Sequence, residues 1–229
     1  VLTSKIGRYY MDQDKYSFLS NVKVTNPKYV INSQQLDFYS NSGYAYLYGP
    51  TTIVSETSTV YCERGFYDTR GDVGYFVKNS KINYDNRILE GDSLYFNRAK
   101  SFASGTNNIK VTDTLNHSLI TGHYAEVYRE KDSVFITKRA VAATIQDNDS
   151  IFIHSDTLMI TGKPENRIVR GFYNVRLYKS DISGKSDSVY INQKKGITKL
   201  INVNKGTLST VDKKRTPIIW SGNNQMTGD

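Results

Sequence analysis

A motif of about nine residues returns along the chain roughly every thirty positions, and this repeat restricts the possible folds more than any other feature. The motif reads LEGDSLYFN at 89–97, ITGHYAEVY at 120–128, IHSDTLMIT at 153–161 and, more loosely, GKSDSVYIN at 184–192. When the small residue of each motif is taken as position zero, eight copies align at spacings of 29 to 35 residues: Ser4, Ser33, Cys62, Gly91, Gly122, Ser155, Ser186 and Ser221.

Three further columns of this alignment are mostly apolar. Seven of eight copies carry an aliphatic residue at minus two, and all eight carry an aromatic or aliphatic residue at plus five; plus three is softer. Positions minus two and zero share one face of a strand, as do plus three and plus five, but the two pairs are out of phase. The strand must therefore bulge or bend after position zero, where a small residue fits a sharp corner. On this argument Cys62 is a corner residue and not a nucleophile.

Each motif is followed by turn residues and then by a second strand. The second strands contain NVKV (21–24), KINY (81–84), NIKV (108–111) and NVRL (174–177), and the eighteen Tyr and nine Phe also favour strands. Units that bury one face only by stacking predict an all-β fold: an elongated open β-jellyroll or β-solenoid of about seven two-armed repeats. We expect a single domain over 1–229 that is a fragment of a longer chain, because both ends fall inside strand-like patterns.

The motif resembles the repeats of the OstA-like family, the periplasmic lipopolysaccharide-transport bridge proteins of Gram-negative bacteria. The resemblance rests on LEGDSLYF (89–96), IHSDTLMI (153–160) and, in part, INSQQLDF (31–38), together with the NVKV-type second strands, and it covers essentially the whole chain. It implies a β-jellyroll whose apolar groove shields the acyl chains of lipid A, in modules that stack end to end. The chain departs from the family in its longer repeats and many tyrosines, which predict a wider jellyroll or longer side loops.

A lipid carrier needs a long apolar lining, because each exposed methylene costs about 0.8 kcal/mol in water. The apolar columns supply one, and the alternative is that the same residues pack together as a dry core. For any single residue both interpretations stay open. The candidate lipid-binding residues are Leu36, Phe38, Leu89, Leu94, Phe96, Ile120, Val127, Ile153, Leu158, Ile160, Val189 and Ile191.

Basic residues are the second requirement, because the phosphates of lipid A bind Lys or Arg. The densest basic runs are KKGITK at 194–199 and KKR at 213–215, in a chain of net charge +8. Lys194, Lys195 and Lys199 are the candidate phosphate-binding residues, with solvated turn charges as the alternative.

Motifs for catalysis are few. His117, His123 and His154 have no metal-binding spacing, and the sequence has no nucleophile elbow and no phosphate-binding glycine loop. We therefore predict no enzyme activity, no cofactor and no metal.

Two other functions compete with the carrier. A β-helix that binds or cleaves polysaccharide would use paired acids, and Asp92, Asp156 and Asp187 share the column after position zero. The alternative for these residues is that they stabilise the bend. A ligand-free structural spacer, stacking through open β-edges, is the other competitor.

The sequence thus predicts a non-enzymatic carrier of lipopolysaccharide or a related glycolipid in the Gram-negative periplasm, with its signal sequence missing from this chain. Its expected partners are that lipid and other jellyroll transport proteins stacked end to end, including copies of itself as a homo-oligomer. No nucleic acid partner is expected.

Overall fold

The computed structural model of the chain describes residues 1–115, 117–146, 149–180, 182–201, 207–211 and 217–221. In these ranges the regular structure is β-strand with two single-turn 3₁₀ helices, which confirms the all-β prediction. The strands are β1 (Leu2–Thr3), β2 (Ile6–Tyr10), β3 (Lys15–Thr25), β4 (Tyr29–Tyr39), β5 (Tyr44–Ser55), β6 (Ser58–Asp68), β7 (Val73–Tyr84), β8 (Arg87–Asn97), β9 (Phe102–Asp113), β10 (Ser118–Tyr128), β11 (Ser133–Gln146), β12 (Asp149–Thr161), β13 (Ile168–Lys179), β14 (Ile182–Asn192), β15 (Ile197–Ile201), β16 (Thr207–Val211) and β17 (Pro217–Ser221). The 3₁₀ helices span Met11–Gln13 and Pro164–Asn166.

The chain divides into two compact units, Val1–Ile109 and Lys110–Asp229. In the first unit, β1 and β2 both pair with β3, and from β3 to β8 each strand pairs antiparallel with the next. In the second unit, β10 to β14 pair in the same way, and β15 and β16 both pair with β14. The motifs between 31 and 192 lie on even-numbered strands, and odd-numbered strands intervene. Each unit is thus a stack of two-armed strands, as the predicted jellyroll requires.

The long strands bend at a corner that a register shift marks. Between β4 and β5, Ser33 pairs with Thr51 and Gln35 pairs with Tyr48. The two pairs are two residues apart on β4 but three apart on β5, so β5 holds one extra residue. The corner follows position zero, as predicted, but the extra residue belongs to the intervening strand. Left-handed backbone conformations absorb it at Ser20–Asn21, Gly49, Lys78–Asn79, Asn107–Asn108, Lys138–Arg139 and Tyr173–Asn174.

Position zero is small because its side chain is enclosed by the corner. The hydroxyls of Ser33, Ser155 and Ser186 each donate to the backbone carbonyl two residues later, at 2.9, 2.7 and 2.8 Å. A hydroxyl here satisfies a carbonyl in the irregular part of the ladder. Cys62 takes the same place and is fully buried, which confirms its predicted corner role.

The acids that follow position zero hold the corner from outside. Asn108 donates to Asp92 at 2.8 Å and Asn174 donates to Asp156 at 2.7 Å, and each asparagine is the second left-handed residue of its corner. Asparagine adopts this conformation more readily than most residues. These pairs give Asp92 and Asp156 a bend-stabilising contact.

An outward-facing aromatic row accounts for several of the tyrosines in the first unit. Tyr46, Phe66, Tyr75 and Tyr95 lie directly opposite one another on β5 to β8. Neighbouring ring centroids in this row are 4.8 to 6.2 Å apart. Each such contact contributes roughly 0.5–1.5 kcal/mol, so the row stabilises the strand ladder.

Candidate functional site

The apolar columns of the repeat converge on the inner face of the bent strands in the first unit. In the plus-five row, large residues of the motif strands alternate with small residues of the intervening strands, and in the next row the small residue is Gly65 on a motif strand. The row at plus five runs through Phe38, Ala45, Tyr67, Gly74 and Phe96. The next row toward the corner runs through Leu36, Leu47, Gly65, Phe76 and Leu94.

Aliphatic residues build the same rows in the second unit. Beyond the corner, Ala142 lies between Ile120 and Ile153 in a further row. The row at plus five is Val127, Val134, Ile160, Val169 and Ile191, and the next is Ala125, Ile136, Leu158, Gly171 and Val189.

The twelve residues predicted to bind lipid all face inward, but they lie at two depths. The residues at minus two and plus three are at most 4% exposed: Leu36, Leu89, Leu94, Ile120, Ile153, Leu158 and Val189. The residues at plus five are half-buried: Phe38, Phe96, Val127, Ile160 and Ile191. These five are therefore the candidates nearest to solvent, although the same rows also hold buried residues such as Tyr67 and Val134.

The two arms of the first unit meet at a mouth. Tyr67 on β6 lies at the same level of the ladder as Phe38 on β4, because both pair with Ala45. Phe38 is nine residues further along β4 than Tyr29. In a flat strand that distance would be about 30 Å. Instead the rings of Tyr29 and Tyr67 pack edge to face with centroids 5.6 Å apart, and the two residues are 7% and 1% exposed. The sheet therefore folds back on itself within this unit, and these rings close it.

Polar contacts support this closure. The hydroxyl of Tyr67 donates to Asp72 Oδ1 at 2.8 Å, and Lys28 Nζ lies 3.6 Å from the other oxygen of that carboxylate. Burial, reinforced by the hydrogen bond to Asp72, raises the pKa of Tyr67 above its ordinary value. The hydroxyl therefore remains protonated and able to donate at neutral pH.

A buried ion pair joins the two arms of the second unit. Asp113 ends β9, after its corner, and Arg167 directly precedes β13, before its corner. Residues before and after the corner of an intervening strand lie on opposite arms. Arg167 Nη2 donates to Asp113 Oδ2 at 3.2 Å across 54 residues of sequence, and the two residues are 5% and 7% exposed.

One arginine beside the closing contacts of each unit, Arg98 in the first and Arg167 in the second, has a buried Nε without a hydrogen-bond partner among the described residues. Arg98 lies over the rings of Tyr29 and Phe96, at 5.6 and 6.0 Å from their centroids. The Nε of Arg98 and the Nε of Arg167 are both buried, and neither has a hydrogen-bond partner in the part of the chain that the structure describes. Sequence analysis missed these residues because mouth contacts join different repeats and occupy no common column.

The structure separates the three lysines predicted to bind phosphate. Lys194 and Lys195 are exposed in the turn that follows β14. Lys199 lies on β15 and faces outward, because its neighbour Leu200 is fully buried. The basic run at 213–215 lies outside the described residues.

The described ranges hold no group of three or more His, Cys, Asp or Glu side chains placed to bind a metal ion. In the same ranges, no helix is long and apolar enough to cross a membrane.

Comparisons with known proteins find similarity at the level of structure. No family model matches the sequence, and no curated protein matches it. Among solved structures, the chain is similar to LptH of Pseudomonas aeruginosa, described as the LptA-homologous periplasmic component of the conserved lipopolysaccharide transport device. The two chains are 13% identical with a TM-score of 0.46, and the match covers 60% of this chain and 94% of LptH.

Proposed function

We propose that this protein is a non-enzymatic periplasmic carrier, of the OstA-like type that its repeats resemble, and that it binds the acyl chains of lipopolysaccharide or a related glycolipid along its inner face. One observation carries the proposal. All twelve residues chosen from sequence columns face inward, in rows that cross successive strands within each unit.

The rows match what an acyl chain requires. A chain gains about 0.8 kcal/mol for each methylene removed from water, so a binding face must be apolar over many strands. The half-buried residues at plus five, Phe96 and Ile160 among them, are the first part of that face that a lipid reaches. Deeper rows are already packed, so acyl chains enter only when the mouth contacts separate and the arms move apart.

Stacking with other jellyroll proteins, or with a second copy of this chain, completes the proposal. An added strand pairs through backbone groups and needs an accessible edge. Strand β2 pairs with β3 and all five of its residues are exposed, so we assign the stacking contact to the other edge of this strand. Such stacking would extend the inner rows from one protein to the next.

The polysaccharide alternative has weaker support. Cleavage of a glycosidic bond needs two carboxyl groups directed at one bond. Asp92 and Asp156 instead each accept a hydrogen bond from a corner asparagine. Their placement favours a structural role in the bend.

Native mass spectrometry of protein purified from lipopolysaccharide-producing cells tests the proposal. We expect a co-purifying lipid A species that is lost in the Phe96→Asp and Ile160→Asp variants. Tyr95→Asp and Met159→Asp are the matched controls, because these neighbours lie on the opposite face of the same strands. The groove assignment fails if a folded Phe96→Asp protein keeps its lipid. A wild-type protein that neither carries lipid nor takes up added lipopolysaccharide would favour the structural spacer.

A further inference from the structure

The Arg167–Asp113 pair is unusual for its cost. Both side chains are almost completely buried, and removing two charges from water costs several kcal/mol for each ion before their attraction compensates. A well-packed uncharged pair would close the mouth at lower cost, as the rings of Tyr29 and Tyr67 do in the first unit. Stability alone therefore does not explain an arginine at this position.

The guanidinium of Arg167 is only partly used. Nη2 binds the carboxylate of Asp113, whereas the adjacent Nε is buried without a hydrogen-bond partner among the described residues. Nε and Nη2 form one edge of the planar guanidinium, the edge that can hold two oxygens of a phosphate at once. The edge now makes one hydrogen bond, to Asp113, and could make two to an anion such as phosphate.

Arg167 lies at the mouth of the second unit, the place where its ion pair with Asp113 joins the two arms. Immediately inside Arg167, Val169 belongs to the plus-five row with Ile160 and Ile191. The backbone N–H of Gln193 donates to the carbonyl of Arg167 at 3.0 Å, which places the adjoining basic turn beside it. A cation therefore stands where an amphiphile whose chains occupy these rows would carry its head group.

We propose that Arg167 is the phosphate subsite of the mouth, and that a phosphomonoester head group displaces Asp113 from it when the arms open. This inference rests on the proposed function, since it assumes that acyl chains bind the inner rows. Exchange of one anion for another keeps the guanidinium paired in both states. The buried charge is then the device that couples opening of the mouth to arrival of the head group.

The test compares two lipids that differ only in phosphate, dimyristoyl phosphatidic acid and dimyristoylglycerol, each presented in detergent micelles to the whole chain. Binding is measured for the wild type, for the Asp113→Asn/Arg167→Gln double variant and for Arg170→Gln. The double variant replaces the ion pair with a neutral pair of similar shape, so that no buried charge is left alone. Arg170 is the matched control, because it lies over Tyr190 and alternates with inward-facing Val169 on β13.

We expect the wild type and Arg170→Gln to prefer phosphatidic acid by about tenfold or more, the effect of a charge-assisted hydrogen bond. In the double variant the two lipids should bind equally, with diacylglycerol bound at least as well as by the wild type. A preference that survives in the folded double variant would overturn the assignment. So would equal loss of both lipids in that variant, which would mark the pair as purely structural.

Inorganic phosphate separates the two sources of the anion. If it abolishes the wild-type preference, Arg167 accepts the free ion, and if it does not, the subsite needs a head group held by its chains. Both results support an anion subsite at Arg167. Failure of every form to bind either lipid would refute the proposed function itself, and the subsite with it.

Discussion

The rings of Tyr29 and Tyr67 meet edge to face with centroids 5.6 Å apart. Tyr29 begins β4 before its corner, whereas Tyr67 lies beyond the corner of β6, one residue before that strand ends. This contact makes the inner face of the first unit an enclosed space and not an open sheet surface. Under the proposed function the apolar rows have two roles, since they form the core when the arms are closed and would form the lining when the arms separate.

The mouth contact should control the rate of lipid uptake. Replacing Tyr29 with Ala removes one ring of the closing pair, so we expect uptake to become several times faster, at some loss of stability. Stopped-flow uptake of a fluorescent lipid measures the rate. Tyr44→Ala is the control, because Tyr44 is 39% exposed and packs edge to face against Phe66. Slower or unchanged uptake by a folded Tyr29→Ala protein would contradict the closing role.

The deep rows should dominate the stability of the fold. Leu94 is fully buried, so Leu94→Ala is expected to lower the free energy of unfolding by about 2–5 kcal/mol. Tyr75→Ala in the outer row should cost only about 1 kcal/mol, because Tyr75 is 50% exposed and loses mainly ring contacts. Chemical denaturation compares the two. Equal losses would be inconsistent with a core on the inner face.

Cys62 should make the fold sensitive to alkaline pH. Burial raises the pKa of its thiol from 9.0 to about 12. Because the folded-state value is the higher one, the stability this thiol contributes is complete below pH 9 and is lost as the pH rises toward 12. Cys62→Ser places serine where Ser33 and Ser155 already stand at other corners, so the variant should fold and lose less stability over this range.

Denaturant midpoints of both proteins across that pH range provide the measurement. If the wild type and Cys62→Ser lose stability in parallel, another group is responsible. Native Cys62 should also resist alkylation at neutral pH, since the thiol is both buried and protonated.

The inner rows could be predicted from the sequence because burial recurs with the repeat. A residue such as Leu158 matches Leu36 and Leu94 in column, and all three are buried. The corner was also predictable, because the apolar pattern changes phase after position zero. The strand that holds the extra residue could not be predicted, since a bulge on either of two paired strands produces the same phase change in the sequence.

The contacts at the mouth could not be predicted from the sequence, because they join residues that no column of the repeat relates. Arg167 and Asp113 are 54 residues apart and meet only because the sheet folds back. No column relates them, and each alone resembles a solvated charge at the end of a strand. The phosphate-binding prediction favoured dense runs such as 194–199, whereas a buried cation is identified by its surroundings and not by its neighbours in sequence.

Photocrosslinking in lipopolysaccharide-producing cells tests the central claim most directly. A benzophenone amino acid at Ile160 faces inward in the plus-five row, and the same group at Met159 faces outward from the adjacent position. The carrier account predicts a lipopolysaccharide adduct at position 160 and none at 159. Adducts of equal yield at both positions, or an adduct only at 159, would contradict a lipid bound along the inner face.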